Sequence, residues 1–449
     1  MRRLWPFVSL VVGVGVLAAT ICIAGLGVGQ VATLPAHPSD GLTPAGFLTH
    51  PVADSAPNAE QVRRGQALVI AGDCMSCHLR EGGAPFAGGY PLRTPFGVIY
   101  SPNITSDKET GIGAWTGDDF YRAMHDGIGR QGENLYPAFP YPNFNRISRA
   151  DDDAILAYLK AVPAVRYTAP GNQLAFPMNI RFMVSFWNWL FFHPRPSQAD
   201  PAQSTEWNRG ADLVNGLGHC GACHTPKNVL GADKSGQDFR GGTLENWTAP
   251  NLTEAPNAGL GAWSVADITE YLATGRNARA GAGGEMGKVV SYSTSLMSDQ
   301  DRSAIAVYLK SLPASPEPPT SPPDAGTMAR GAAIYSDACA GCHLENGVGQ
   351  ARYFPPLGHD AVLQQADPTG LERLILAGSR IGPTAARPSP LAMPSFAWKL
   401  TDAEIADVGT YIRNSWGNRA APLPAGPVGS LRRKLGLDKP RLTDNSGDH

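Results

Sequence analysis

The feature that most constrains this chain is a five-residue pattern that occurs three times. It reads Cys74-Met-Ser-Cys77-His78, then Cys220-Gly-Ala-Cys223-His224, then Cys339-Ala-Gly-Cys342-His343. C-x-x-C-H is the attachment signature of c-type haem. Two thiols three positions apart reach the two vinyl groups of one porphyrin and bond to it as thioethers. The histidine that follows lies under the ring, where its imidazole takes the proximal iron position. The three copies use six of the chain's seven cysteines.

Other uses of paired cysteines fit poorly. A zinc site wants two pairs separated by roughly 12–20 residues, and these copies stand more than a hundred apart. A thioredoxin-like pair sits in a βαβ unit, and no strand–helix alternation surrounds the motifs. Three covalently bound haem c groups are therefore expected. Cys74, Cys77, Cys220, Cys223, Cys339 and Cys342 hold them, and His78, His224 and His343 are the proximal ligands.

The amino terminus sets the compartment. Met1-Arg2-Arg3 precedes an uncharged stretch from Leu4 to Val31. A bilayer needs about 20 apolar residues, and the apolar part of an ordinary signal peptide is only about 7–15 long. Residues 1–34 are expected to be a membrane anchor, with a cleaved signal as the alternative. The arginines stay in the cytoplasm, so the haem-bearing part faces the periplasm from the inner membrane.

At 449 residues the chain exceeds one core and suggests about three domains. Its 51 glycines and 39 prolines point to many loops. A net charge of −2 with no basic stripe argues against nucleic acid as a partner. The expected domains are 59–165, 205–313 and 326–418. In the first, Asp151 to Lys160 reads as a closing helix with acids at its start and a cation at its end. Asp299 to Leu312 repeats it, and Thr401 with Glu404 reads as a capping box at the start of a third.

Ser101-Pro-Asn-Ile-Thr105 recurs as Ala249-Pro-Asn-Leu-Thr253, and Gly113-Ala-Trp115 as Gly261-Ala-Trp263. The chain is thus an internal repeat. The two tryptophans read as core packing, or as indole donors near a haem propionate. Residues 314–325 are a Pro-rich linker and 419–449 a peripheral or disordered polar tail. The aromatic connecting segment 166–204 fits no module. Its residues Phe176 to Phe192 read as buried between the first two modules, or else as a docking surface for a partner subunit or the membrane interface.

The sixth ligand decides what each iron does, since a methionine sulfur there makes a closed electron carrier. Met393, in Ala-Met-Pro-Ser-Phe, is the candidate for the third site. For the second it is Met286, in the glycine-rich Gly283-Gly-Glu-Met-Gly287, with Met297 competing. At the first site the equivalent position is Phe139, which cannot ligate iron. Met124 is the favoured substitute, with His125, Met178 and Met183 as alternatives, unless that iron is five-coordinate or holds water.

Together with Leu135-Tyr-Pro-Ala-Phe-Pro-Tyr141 and Gly218-His-Cys-Gly-Ala-Cys-His-Thr225, these motifs give the chain a family likeness over about residues 60–416. It resembles the tri-haem cytochrome c subunits of membrane-bound bacterial alcohol, gluconate, sorbitol and fructose dehydrogenases. Related chains accompany molybdenum-containing aldehyde or N-heterocycle oxidoreductases, and Phe139 looks similar to that branch. The resemblance implies a mainly α fold of three tandem cytochrome c domains. It implies a large catalytic dehydrogenase subunit (molybdopterin, flavin or quinoprotein type), with a small third subunit in some complexes. Electrons from an alcohol, sugar acid or aldehyde would pass to ubiquinone or a downstream cytochrome or oxidase. The competing functions are a haem enzyme such as a peroxidase, built on the Met-less first site, and a soluble electron shuttle.

Intact-mass measurement of the natively matured protein is expected to show three haem additions on the polypeptide. Fewer than three would sink the threefold reading.

Overall fold

The computed structural model describes residues 43–55 and 58–438. The expected anchor or signal at 1–34 lies outside them. Among the described residues no helix is long and apolar enough to cross a membrane. The chain is mostly helical, and one helix pair organises it three times over. Leading helices Ala59–Ala71, Thr205–Asn215 and Ala325–Ala338 pack on closing helices Arg149–Ala161, Asp299–Lys310 and Asp402–Ile412.

The closing helices start where capping chemistry places them. Ser148 and Ser298 accept hydrogen bonds from the amides of Asp151 and Asp301, and Thr401 forms a reciprocal capping box with Glu404. Acids in the first turn, and Lys160 and Lys310 in the last turn of two of them, suit the helix dipole. Each then buries an apolar stripe: Ile155 and Leu159, Ile305 and Leu309, Ile405 and Ile412.

A glycine at each crossing sets how close the two helices come. Added Cβ atoms at Gly65, Gly210 and Gly331 would overlap the carbonyl oxygens of Ala154, Ala304 and Asp407 and crowd Tyr158, Tyr308 and Tyr411. The arginine before each glycine reaches the partner helix: Arg64 to Asp151 at 2.7 Å, Arg209 to Asp301 at 2.7 Å, Arg330 to Asp407 at 2.6 Å. These pairs are solvated and worth about 0–1 kcal/mol each. Close backbone approach, more than the ion pair, makes the crossing.

Between leading and closing helices the first two units each hold a middle helix with its own capping box. These are Gly117–Asp126, capped by Thr116 and Asp119, and Val265–Thr274, capped by Ser264 and Asp267. The preceding Trp115 and Trp263 pack half-buried against the core. In the third unit Thr369–Ala377 lies between its leading and closing helices. Short antiparallel pairings complete the loops. Pro91–Thr94 pairs with Gly97–Tyr100 from Pro91 opposite Tyr100 to Thr94 opposite Gly97, and Gln173–Leu174 adds a third strand.

The first two units share one continuous apolar core, and the third has its own. Polar contacts join them. Tyr90 donates to Glu285, and Lys288 donates to the Tyr90 hydroxyl, across the first junction. Across the second, Arg352 grips Glu270, and Thr248 accepts from the Gly370 amide.

Two expectations are corrected here. Part of the polar tail is a packed helix, Ala425–Lys434, with Val428 and Leu431 buried against the third core and Arg432 bonded to Asp402. Its apolar positions are few and spaced by three, which hid them among glycines and charges. The aromatic segment is not buried between units: Phe176, Phe182, Phe186 and Trp189 are 80%, 65%, 50% and 77% exposed.

Gly210→Ala is expected to destabilise the haem-loaded protein by about 1–3 kcal/mol in denaturant unfolding, because the new methyl has nowhere to go. Gly171→Ala, where nothing lies within 4 Å, should be neutral.

Candidate haem sites

Each C-x-x-C-H motif forms a short helical turn directly after its leading helix: Cys74–His78, Gly221–His224 and Ala340–His343. The turn carries the imidazole into the interior, and the same hydrogen bond receives it each time. His78 Nδ1 lies 2.8 Å from the Pro102 carbonyl, His224 Nδ1 2.7 Å from that of Pro250, and His343 Nδ1 3.0 Å from that of Pro355. A carbonyl only accepts, so Nδ1 carries the proton and Nε2 keeps its lone pair. That is the tautomer and orientation a metal-bound imidazole needs.

The loops around the carbonyl explain its constancy. Asn103 accepts from the Thr105 amide and hydroxyl and donates to the Val165 carbonyl, all buried. Asn251 accepts from the Thr253 amide and donates to Ser315. The repeated Pro-Asn-x-Thr is therefore a clamp that fixes the proline carbonyl. Gly88, Gly241 and Gly349, all with positive φ, close the far side by donating to the carbonyls of His78, His224 and His343. At Gly88 a Cβ would overlap the Pro102 carbonyl itself.

Electrostatics agree with the geometry. Burial holds His78 down at about 4 and lowers His224 and His343, so all three imidazoles stay neutral and able to ligate. Burial pushes the Cys74 and Cys220 thiols up to about 12 and those of Cys223 and Cys339 to about 11. Redox-active cysteine pairs are tuned the other way. All six motif thiols are free of disulfides. Among the described residues no three His, Cys, Asp or Glu side chains gather as a metal cage. The donor set is two free thiols and one oriented neutral imidazole, three times, which fits covalent haem and neither zinc nor thiol exchange.

The candidate sixth ligands sit in different settings. Met393 is half-buried against the third core, on the strand Ala392–Met393 that pairs with Ser379–Arg380. Met286 is half-buried on the helix Gly284–Tyr292, where a glycine-rich loop was expected, and that helix also touches the Cys74–His78 turn. Met297 also packs half-buried on the core, just before the closing helix. Met124 is buried on the middle helix of the first unit. Its neighbour His125 is committed elsewhere: Nε2 lies 2.8 Å from Asp152, and the ring stacks on Tyr121 at 4.0 Å. Phe139 packs its ring against Phe144 at 5.4 Å and Tyr141 at 6.4 Å.

The first two motifs are neighbours. His219 Nε2 approaches the Gly72 carbonyl at 3.3 Å, and a Cβ at Gly72 would touch both Cys74 and Leu217. Burial, with further contributions from Asp73 and Cys223, pushes the Cys77 thiol up. Pro102, Pro250 and Pro355 were missed in the sequence as functional residues. For two of them the recurring Pro-Asn-x-Thr is the signal in the sequence.

Comparison with known proteins gives matching results. The cytochrome c family model matches residues 62–163, 208–313 and 328–416. The gluconate 2-dehydrogenase cytochrome c subunit of Pantoea cypripedii is 38% identical over 85% of this chain and 92% of its own length. The cytochrome c subunit of the quinone-type alcohol dehydrogenase of Gluconacetobacter polyoxogenes is 40% identical, covering 85% of each chain. The fructose dehydrogenase cytochrome subunit of Gluconobacter japonicus is 36% identical over 86% of this chain and 85% of its own.

Gly88→Ala is expected to displace the Pro102 carbonyl from His78. Haem content by haemochrome assay should then fall by one per chain, or the first site should change spin state. An unchanged spectrum would mean the carbonyl clamp does not matter.

Proposed function

The chain belongs to the cytochrome c family, with the cytochrome c subunits of gluconate, alcohol and fructose dehydrogenases, and on that premise we propose that it is a tri-haem electron conduit. It takes electrons from a catalytic dehydrogenase subunit that oxidises an alcohol, sugar acid or aldehyde in the periplasm. It passes them to ubiquinone or another membrane acceptor. The reading has three tandem domains at 59–165, 205–313 and 326–418, one haem c in each, and an amino-terminal anchor in the inner membrane.

The observation that carries the reading is the threefold bond from a half-buried, neutral histidine to a proline carbonyl beside two free thiols. Haem, when bound, supplies reversible one-electron exchange at its iron. The protein's part is to hold and tune. Cys74 and Cys77, Cys220 and Cys223, and Cys339 and Cys342 anchor the three rings. Pro102, Pro250 and Pro355 aim the proximal imidazoles and raise their basicity, which favours the oxidised state. Met393 and Met286 offer thioether sulfurs that favour the reduced state, with Met124 the candidate at the first site. The closeness of the first two motifs supports passage between them.

The peroxidase alternative needs a proton-moving group on the open side of the first site. Phe139 faces aromatic rings there, and His125 is tied to Asp152, so nothing favours it. Met393→Ala and Met286→Ala are each expected to turn one low-spin haem high-spin and lower its midpoint potential in a spectroelectrochemical titration. Met124→Leu should do the same for the first haem only if that sulfur ligates. In the native complex, substrate should reduce the haems and a ubiquinone analogue should reoxidise them. Peroxide turnover by a chain that no dehydrogenase substrate reduces would overturn the proposal.

A further inference from the structure

The helix Met183–Phe191 is built inside out. Its protein-facing positions are polar and bonded. Ser185 accepts from Asn134 at 3.0 Å, Asn188 accepts from the Tyr141 hydroxyl at 2.5 Å, and only Val184 is a buried aliphatic. Every exposed position from Phe182 through Leu190 is apolar: Phe182, Met183, Phe186, Trp189 and Leu190. Residues 182, 186, 189 and 190 share one helical face. Phe176 and Ile180 extend that surface. Trp187 donates to the Leu230 carbonyl at 3.0 Å, which adds exposed Val229 and Leu230 of the second unit. A contiguous apolar surface of this kind marks a contact site.

We propose that this surface rests on an anionic lipid bilayer, with the helix lying in the plane of the interface. Charge and composition favour lipid as the occupant. From Ala154 to Ala199 the chain has no acidic residue; Arg166 is paired with Glu109 and Lys160 bonded to the Trp115 carbonyl, but Arg181 and Arg195 flank the aromatic run with no carboxylate bonded to either among the described residues. Tryptophan and phenylalanine flanked by arginine is the make-up of a helix seated at the headgroup boundary, about 5–10 Å into the interface. A protein-facing patch has a polar rim woven into it, and the outward face of this helix has none. The uncharged stretch from Leu4 to Val31 also precedes the point where the chain joins this same unit: Pro44–Leu48 buries Phe47 and Leu48 in its core.

The end of this helix connects through packed rings to the residue at the position expected for the first sixth ligand. Phe192 packs on Tyr141 at 5.1 Å, and Tyr141 packs on Phe139, the residue at the position expected for a ligand. Lipid contact here brings the loop at 139–141 to the membrane. The inference rests on the membrane acceptor proposed above and gives that acceptor its point of approach.

The test uses the full-length, haem-loaded protein in vesicles of phosphatidylcholine and phosphatidylglycerol doped with a phospholipid bearing a photoreactive diazirine in its acyl chain. After illumination, peptide mass mapping should find adducts on residues 176–192. In Phe182→Ser/Phe186→Ser/Trp189→Ser those adducts should disappear while the haem spectrum is kept, and they should weaken when phosphatidylglycerol is omitted. Adducts confined to residues 4–31, or none at all, would overturn the proposal. So would loss of the 176–192 adducts when the native catalytic subunit is bound, which would make the patch a protein interface. The map reads lipid contact and not electron flow, so its failure leaves the conduit reading to be judged by its own titration.

Discussion

The structure depends on one hydrogen bond made three times, from the Nδ1–H of a motif histidine to a proline carbonyl. A histidine left free on a four- or five-residue turn would rotate and titrate. Pinned, half-buried and neutral, it offers Nε2 in one direction only. Much of each unit serves that carbonyl: the Pro-Asn-x-Thr clamp in the first two units, and the positive-φ glycine whose amide holds the histidine's own backbone. Strength of ligation and the potential of the site both follow from this outer contact.

How the third site differs is informative. Its loop, Phe354-Pro355-Pro356-Leu357, has no Asn or Thr of its own, yet Pro355 still accepts from His343 at 3.0 Å, and the loop is held from a distance by Asn418, which donates to the Leu357 carbonyl. Two successive prolines stiffen the backbone, since each ring locks φ and restricts the residue before it, and the clamping asparagine comes from after the closing helix instead of from the loop itself. The requirement is the position of a carbonyl oxygen, and two kinds of chain meet it. A sequence pattern taken from the first two loops cannot find the third.

The same logic separates what was legible in the sequence from what was not. The motif turns, the closing helices and their caps could be read directly, because capping and amphipathic spacing are local. The glycine crossings could not, although Arg64-Gly65, Arg209-Gly210 and Arg330-Gly331 repeat before each motif. A lone glycine in a helix reads as a weakness until the partner helix is seen against it. The helix Ala425–Lys434 was hidden by its few apolar residues, and Phe176 to Phe192 misled in the opposite sense. Apolar composition predicts burial, but burial needs a partner surface, and here the polar side of the helix had already taken the protein's.

Sharing of cores gives the final step. The first two units are one hydrophobic body, in which His219, just before the second motif, approaches the carbonyl of Gly72, just before the first. The third unit keeps a separate core and meets the second through polar and cation–π contacts, such as Arg352 with Glu270 and Arg373 over Trp247. A merged core fixes the spacing of two sites far more stiffly than a polar junction does, because close-packed interiors resist deformation. Distance between carriers governs how fast an electron crosses, so the constraint falls hardest on the first junction. The second junction rests instead on solvated ion pairs of modest worth and on hydrogen bonds such as that from buried Gln365 to the Ala258 carbonyl.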